Sequence, residues 1–199
     1  MKKLLKIITV CLLFVRSYSL ANEKIQNLQN IFTLLQEKNF EEGIKNLQIL
    51  SEQNDINDQL LYAKILFSGD LTPQDFENSY FWGFSALLGG LKKASNILEK
   101  LSEYLTEEQI RDITTKLTEF LEKRAYKKDK RAIVQIAKIY ENYIEPPDLI
   151  NAYTWYNIAV AQGIKTAKSK RDEVLNSLNE KDLLDAQSLS IKLFKKINN

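Results

Sequence analysis

Residues 136–163 read IAKIYENYIEPPDLINAYTWYNIAVAQG, and this stretch decides the fold. Its apolar residues recur at three- and four-residue spacing on both sides of a proline-containing loop, which is the pattern of two amphipathic helices. The second helix is predicted to begin at Pro147, and Gly163 stands where a left-handed C-terminal cap ends a helix. The stretch therefore predicts a helix-turn-helix hairpin.

The same spacing continues from Lys24 to the C-terminus and predicts ten helices. Thr72, Thr106 and Asn179 are the predicted N-caps of three of them, with Pro73 as a first helical residue. Only six glycines and three prolines interrupt the chain, which argues against a β-sandwich or barrel. The predicted helices cover residues 24–37, 40–53, 56–68, 73–89, 91–103, 107–125, 128–142, 147–162, 164–177 and 180–196.

An internal repeat organises these helices. Alignment of the chain with itself so that Trp82 falls on Trp155, the two tryptophans of the chain, brings many other identical residues together. With one residue gapped, 63–65 also falls on 137–139. The repeat predicts an N-terminal hairpin over 22–55, a four-helix unit over 56–125 and a second one over 126–199. The repeated residues form the predicted structural core of the repeat: Tyr80, Trp82, Ala86, Gly90, Tyr153, Trp155, Ala159 and Gly163. The four aromatic residues among them are predicted to pack between helices, with an aromatic binding groove as the alternative.

The hairpin at 136–163 resembles a Sel1-like repeat, a relative of the tetratricopeptide arrays. The family pattern is matched in register by Ala152, Trp155, Tyr156, Ala159 and Gly163. Residues 60–90 resemble a more diverged copy, and 24–53 resemble a tetratricopeptide-type hairpin. The tail, with 171–172 and 186–187, resembles the closing helices of such proteins in alphaproteobacteria. The resemblance implies a superhelical binding scaffold, and it names no partner.

This chain departs from the family pattern at two positions. Tyr143 stands near the place of the family's second loop glycine, and Gly43 stands where a helix-packing alanine is usual. The fold expected from pattern and resemblance together is an all-α solenoid of stacked helix-turn-helix hairpins with about ten helices.

The N-terminus has the layout of a secretory signal peptide. A basic start is followed by a short apolar run over 7–15, and small residues precede a predicted cleavage site after Ala21. The apolar run is shorter than the roughly 20 residues that span a bilayer, and an uncleaved anchor is the alternative. We therefore expect export to the periplasm of a Gram-negative bacterium. Without residues 1–21 the chain has 24 basic and 26 acidic residues.

Missing residue types exclude several kinds of chemistry. The chain has no histidine, and its single cysteine, Cys11, lies in the signal segment. The catalytic triads that need histidine or cysteine, and zinc sites with nitrogen or sulfur ligands, are therefore excluded. We expect no cofactor, no metal and no enzymatic activity. A carboxylate-dependent envelope hydrolase is the alternative that the composition leaves open.

Two surfaces are candidates for partner binding. One consists of residues on the first helices of the two repeated hairpins, which line the concave face in related solenoids: Tyr62, Lys64, Phe67, Gln135, Lys138 and Glu141. The other is the densest basic run, which is either an anion-binding surface or a solvated helix junction: Lys123, Arg124, Lys127, Lys128, Lys130 and Arg131. The expected partner is a protein or peptide of the cell envelope, with no nucleic acid and at most peripheral membrane contact.

Overall fold

The computed structural model describes residues 26–198, and every regular element in that range is helical, which confirms the all-α prediction. A single 3-10 turn, Lys92–Ala94, precedes α5. The helices are α1 (26–36 as described), α2 (Phe40–Glu52), α3 (Ile56–Ser68), α4 (Phe76–Leu88), α5 (Ser95–Leu101), α6 (Glu107–Ala125), α7 (Lys130–Asn142), α8 (Leu149–Ala161), α9 (Ala167–Leu175) and α10 (Glu180–Asn198). The predicted signal segment lies outside the described residues.

Successive helices pack as antiparallel hairpins, which makes the array an α-solenoid. Helix α3 packs on α4 and α7 packs on α8, while α6 contacts both α4 and α7. Trp82 lies in the core of the first part of the array, and Trp155 lies in the core of the second. Tyr80 and Phe81 contact both cores, so the interior is continuous from α2 to α10.

The sequence repeat has a counterpart in the helix boundaries. The offset that aligns Trp82 with Trp155 also brings both ends of α4 onto the ends of α8, and both ends of α6 onto the ends of α10. The bounds of α3 and α7 align in the same way once a single residue is gapped, which agrees with the gap in the sequence alignment. We call α3–α6 the first set and α7–α10 the second set.

The second hairpin helix of each set begins with the same cap. Asp75 Oδ1 accepts a hydrogen bond from the backbone N–H of Asn78 over 3.0 Å. Asp148 Oδ1 accepts from the backbone N–H of Asn151, also over 3.0 Å. In each cap the asparagine side chain donates to the other carboxylate oxygen, at 2.6 and 2.7 Å. Such side-chain acceptors satisfy amide groups that the first helical turn leaves without partners.

The start of α4 corrects one sequence prediction. Thr72 is not its N-cap and Pro73 is not its first residue, because α4 begins at Phe76 and its N-cap is Asp75. The backbone N–H of Asp75 donates to the carbonyl oxygen of Leu66 over 3.0 Å, which closes the loop after α3. An aspartate cap followed by asparagine therefore displaces the expected threonine–proline start by three residues. The predicted Thr106 cap is confirmed as a complete capping box with Gln109.

Glycine with positive φ ends the hairpin in both sets. Gly90 has a φ of 104° and Gly163 a φ of 84°. The residue after each glycine donates its N–H back into the helix, to Ala86 over 3.1 Å in the first set and to Ala159 over 3.0 Å in the second. This left-handed cap was predicted at Gly163, and Gly90 is its equivalent in the first set. Positive φ is the region that favours glycine.

Candidate functional site

A buried polar network joins the two sets at their junction. Asn54, which is 3% exposed, donates from Nδ2 to Asp129 Oδ2 over 3.1 Å and to Gln135 Oε1 over 3.3 Å. Its Oδ1 accepts from Gln59 Nε2 over 3.2 Å. Arg131 donates from its guanidinium to the backbone carbonyl of Asn54. One loop residue before α3 is therefore bonded to the start and the middle of α7.

Asp129 is the charged member of this network. Burial raises the pKa of its carboxyl, but hydrogen bonds from Arg124 and Asn54 and the charge of Arg124 outweigh burial and hold the pKa below its ordinary value. Arg124 donates twice to Oδ2, from Nε over 2.8 Å and from Nη2 over 2.7 Å. Asp129 also caps α7, since its Oδ1 accepts from the backbone N–H of Arg131. The junction therefore places α7 in a fixed position on α6.

Two predicted partner-binding residues lie in the interior instead of on the surface. Gln135 is 1% exposed, and its Nε2 donates to the carbonyl oxygen of Ser85 over 3.0 Å. Tyr62 is 7% exposed, and its ring lies 5.8 Å from the ring of Trp82. These side chains hold helices together, because they sit on the buried flank of α3 and α7.

An open cleft of about 480 Å³ runs along α7. The C-terminal end of α4 forms one wall, and α8 with the start of α9 forms the other. A smaller cavity of about 280 Å³ continues it toward the start of α7, sharing Leu88, Val134 and Lys138. We call the two together the α7 cleft. Its larger part is lined by Leu87, Leu88, Val134, Lys138, Glu141, Asn142, Tyr143, Tyr156, Thr166, Ala167 and Lys170.

Glu141 is the acid of the α7 cleft. Its Oε2 accepts a hydrogen bond from the hydroxyl of Tyr156 over 2.6 Å, and its Oε1 accepts from Lys170 Nζ over 3.3 Å. Its side chain is 12% exposed. Burial and the hydrogen bond to Glu141 raise the pKa of Tyr156, so its hydroxyl stays protonated as the donor. Both oxygens of this carboxylate are therefore engaged within the protein.

Three cations along the α7 cleft are held by backbone carbonyl oxygens. Lys138 Nζ donates to Leu88 O over 2.8 Å, and Lys130 Nζ donates to Gln162 O over 2.7 Å. The third, Arg131, donates to the backbone carbonyl oxygen of Asn54, in the loop before α3. Burial lowers the pKa of Lys138. A neutral carbonyl orients an ammonium or guanidinium group without cancelling its charge. The α7 cleft therefore combines ordered positive charges with an apolar floor.

The basic run between the sets does not form one surface. Lys130 and Arg131 line the smaller part of the α7 cleft. Arg124 is paired with Asp129 at 2.7 Å, and Lys128 Nζ donates to the carbonyl oxygen of Asn198 over 3.4 Å. The other two predicted members, Lys123 and Lys127, are exposed. The run is thus divided between the α7 cleft, the buried junction and the outer surface.

Other predicted residues lie away from the α7 cleft. Lys64 is exposed on α3, and Phe67 is half-buried against the rings of Phe76 and Tyr104. The structure brings Lys138 and Glu141 together but leaves these two on a different hairpin. Among the repeated residues, Trp82, Ala86, Tyr153, Trp155 and Ala159 are buried, Tyr80 is half-buried, and Gly90 and Gly163 are exposed in turns.

Three important residues were missed by the sequence reasoning. Tyr156 was identified only as a match to the family pattern, although its hydroxyl donates to Glu141. Lys170 is exposed on α9, and nothing in the sequence places it beside an acid 29 residues away. Asn54 occupies a loop with a φ of 64°, where asparagine is common, and that local signal does not reveal its distant partners.

The described helices include none that is long and apolar enough to cross a membrane. Between residues 26 and 198, no three or more of the residue types His, Cys, Asp and Glu come together as a candidate metal site.

The fold and the cleft together define the chain as an all-helical repeat scaffold with an open, partly basic groove. No model of a known protein family matches the chain, and no curated protein matches it. A solved structure similar to this chain is that of a protective antigen present in uropathogenic Escherichia coli strains and displaying an SLR fold, with 16% identity and a TM-score of 0.39. The match covers 78% of this chain and 41% of the antigen's chain, so this chain spans about two fifths of the antigen's length.

Proposed function

We propose that this protein is a non-enzymatic Sel1-like repeat scaffold of the bacterial cell envelope that binds an acidic peptide segment of a partner protein in the α7 cleft. The signal-like N-terminus supports the envelope location, and the repeat motif supports the family. The observation that carries the proposal is the row of three cations along an apolar groove, each oriented by a hydrogen bond to a backbone carbonyl oxygen. That arrangement offers charge to a ligand without offering a reactive group.

The α7 cleft has features that an extended peptide requires. Leu87, Leu88 and Val134 supply apolar contact, and alternate side chains of an extended segment can enter such a surface. Lys130, Arg131 and Lys138 carry positive charge toward the ligand, while Glu141 is already engaged by Tyr156 and Lys170. Electrostatic complementarity of this kind favours an acidic segment over a basic one.

A peptide ligand fits this geometry better than a membrane surface does. Contact with an anionic lipid surface relies on a cluster of lysines and arginines that reach the membrane together. Here Arg124 is paired within the protein, and Lys130, Arg131 and Lys138 line a concave groove. The hydrolase alternative has no specific observation in its favour, because the one carboxylate in the α7 cleft has a donor on each oxygen.

The test is site-specific photocrosslinking in the native cell envelope. A photoreactive amino acid replaces Asn142, which is exposed and lines the α7 cleft. The control replaces Thr115, which is exposed on α6 away from the cleft. The proposal expects one protein, identified by mass spectrometry, to crosslink from position 142 and not from position 115. That protein should contain an acidic segment at the crosslink.

A charge variant makes this experiment specific. Lys130→Gln with Lys138→Gln removes two cations from the α7 cleft and should abolish the crosslink from position 142. Lys116→Gln with Lys123→Gln removes the same charge from α6 and should leave it intact. Equal capture by both double variants, or crosslinks to lipid alone, would contradict the proposal.

A further inference from the structure

A second groove lies between α8 and α10, at the end of the array opposite the N-terminal hairpin. It has a volume of about 200 Å³ and is mainly apolar. Ile191 on its rim is 59% exposed, and Ala161 is exposed as well. The ends of helical arrays ordinarily present a polar face. The six residues that line most of the groove are Asn157, Ile158, Ala161, Ser190, Ile191 and Phe194.

The repeat identifies what occupies the equivalent groove in the first set. The positions that the repeat aligns with these six lie on α4 and α6, and all are buried, at 8% exposure or less. Helix α7 contacts both α4 and α6. Its Gln135 and Lys138 donate to carbonyl oxygens of α4 at two of these positions. The six equivalent residues are Phe84, Ser85, Leu88, Leu117, Thr118 and Leu121.

The comparison of single positions makes the difference clear. Thr118 on α6 is 8% exposed, whereas its equivalent on α10, Ile191, is 59% exposed. Leu88 on α4 is 2% exposed, and its equivalent on α8, Ala161, is exposed. The α8–α10 groove is therefore the surface on which α7 docks in the first set, left open in the second.

The charges beside the groove differ in sign between the two sets. On α6, Glu119 and Glu122 occupy the positions that Lys192 and Lys195 occupy on α10. Glu122 faces α7, since its charge raises the pKa of Tyr140 on that helix. Lys195 also lines the α8–α10 groove. A helix docked there meets Lys195 where α7 meets Glu122, with Lys192 beside it in place of Glu119, so charge complementarity favours an acidic flank.

We propose that the α8–α10 groove binds an acidic amphipathic helix of a partner protein, seated as α7 is seated on α4 and α6. The apolar face of that helix covers Ile191 and Phe194, and its acidic flank pairs with Lys192 and Lys195. This site is separate from the α7 cleft and does not depend on the function proposed for it. Helix-in-groove recognition of this kind reuses the packing of one helical layer on another.

The probes are two labelled peptides with the sequence of residues 128–144. One is unchanged, and the other, the acidic peptide, carries Lys128→Glu and Tyr140→Glu. It keeps Gln135 and Lys138, which donate to α4 in the first set, while position 140 is the one that faces Glu122 there. Fluorescence anisotropy measures their binding to the full chain. We expect the acidic peptide to bind, and Ile191→Asp in the protein to weaken its binding at least tenfold. Leu184→Asp is the matched control, because Leu184 is also 59% exposed on α10 but its equivalent, Arg111, is exposed in the first set.

A charge exchange tests the sign. In the Lys192→Glu and Lys195→Glu protein the preference should reverse, so that the unchanged peptide binds more tightly than the acidic one. Circular dichroism establishes that each variant is folded. Failure of the acidic peptide to bind the folded wild-type chain, or equal loss in both aspartate variants, would overturn the proposal. Self-association of the protein that Ile191→Asp abolishes would assign the groove to a second copy and overturn it as well.

Discussion

Gln135 on α7 donates a hydrogen bond over 3.0 Å to the backbone carbonyl oxygen of Ser85 on α4, and both residues are buried. The bond joins the two sets of helices across 50 residues of sequence. The other end of the same amide accepts from Asn54. The side chain of Gln135 thus bonds both to the Asn54 amide, in the loop before α3, and to the Ser85 carbonyl of the first set.

Removal of this amide should destabilise the protein. Gln135→Ala leaves the Ser85 carbonyl and the Asn54 amide with fewer partners in the interior, and we expect a loss of about 2 kcal/mol in the free energy of unfolding. Urea denaturation measures the loss. Gln187→Ala on the exposed side of α10 is the control and should change stability by less than about 0.5 kcal/mol. Equal effects would show that the buried bond contributes little.

Asp129 should make stability depend on pH in the acidic range. Its pKa is lower in the folded protein than the value of about 3.9 in an unfolded chain. Its contribution is therefore complete above that unfolded pKa and disappears as the pH falls through the lower, folded pKa. Asp129→Asn, which can still cap α7, should cost stability at pH 7, and the difference from wild type should shrink below about pH 4.

The same measurement with Asp185→Asn provides the reference for that pH dependence. Asp185 is exposed on α10. Its substitution should leave the unfolding free energy nearly unchanged at both pH values. A wild-type minus Asp129→Asn difference that stays constant from pH 7 to pH 3 would contradict the expected linkage.

Tyr156→Phe removes the hydroxyl that donates to the Glu141 carboxylate in the α7 cleft, and it should lower the stability of the protein. A hydrogen bond to a charged group contributes about 2 kcal/mol, and the phenyl ring keeps the packing of the buried tyrosine. Thermal or urea denaturation should therefore report a loss of that order. Tyr104→Phe removes a hydroxyl from a side chain that is 57% exposed and should have almost no effect.

The turn after α8 should tolerate asparagine better than alanine. Gly163 has a φ of 84°, and a Cβ placed there meets no atom within 4 Å, so the cost of substitution is backbone strain alone. Gly163→Ala should lower stability by about 1 kcal/mol, the ordinary penalty for a side chain in the left-handed region. Gly163→Asn should cost less, because asparagine enters that region more readily. The two variants can be ranked by their midpoints in urea.

The helical array follows from local sequence signals. The apolar spacing, the capping box at Thr106 and the two left-handed glycines predict where helices begin and end, because each of these signals acts within one or two turns. The start of α4 was misplaced because Thr72 and Asp75 are both competent caps. The choice between them depends on a hydrogen bond from Asp75 to Leu66, which local pattern does not contain.

The candidate site was only partly predictable for the same physical reason. Lys138 and Glu141 were identified from their helix, and the structure places both in the α7 cleft. Tyr62 and Gln135 were chosen from their helices in the same way, but both face the interior. Periodicity gives the face of a helix that is apolar, and it does not show which polar residue at its edge is covered by a neighbouring helix. The Glu141–Lys170 contact is tertiary and has no local signature.

The amide of Asn54 has a consequence for how the α7 cleft meets its ligand. Because this residue bonds to Asp129 and Gln135 while its carbonyl holds Arg131, the two sets cannot hinge about the junction without breaking several buried hydrogen bonds. The walls of the cleft, which come from different sets, therefore keep a constant separation. For the peptide proposed above, a receptor fixed in this way means that the backbone entropy lost on binding falls mainly on the peptide.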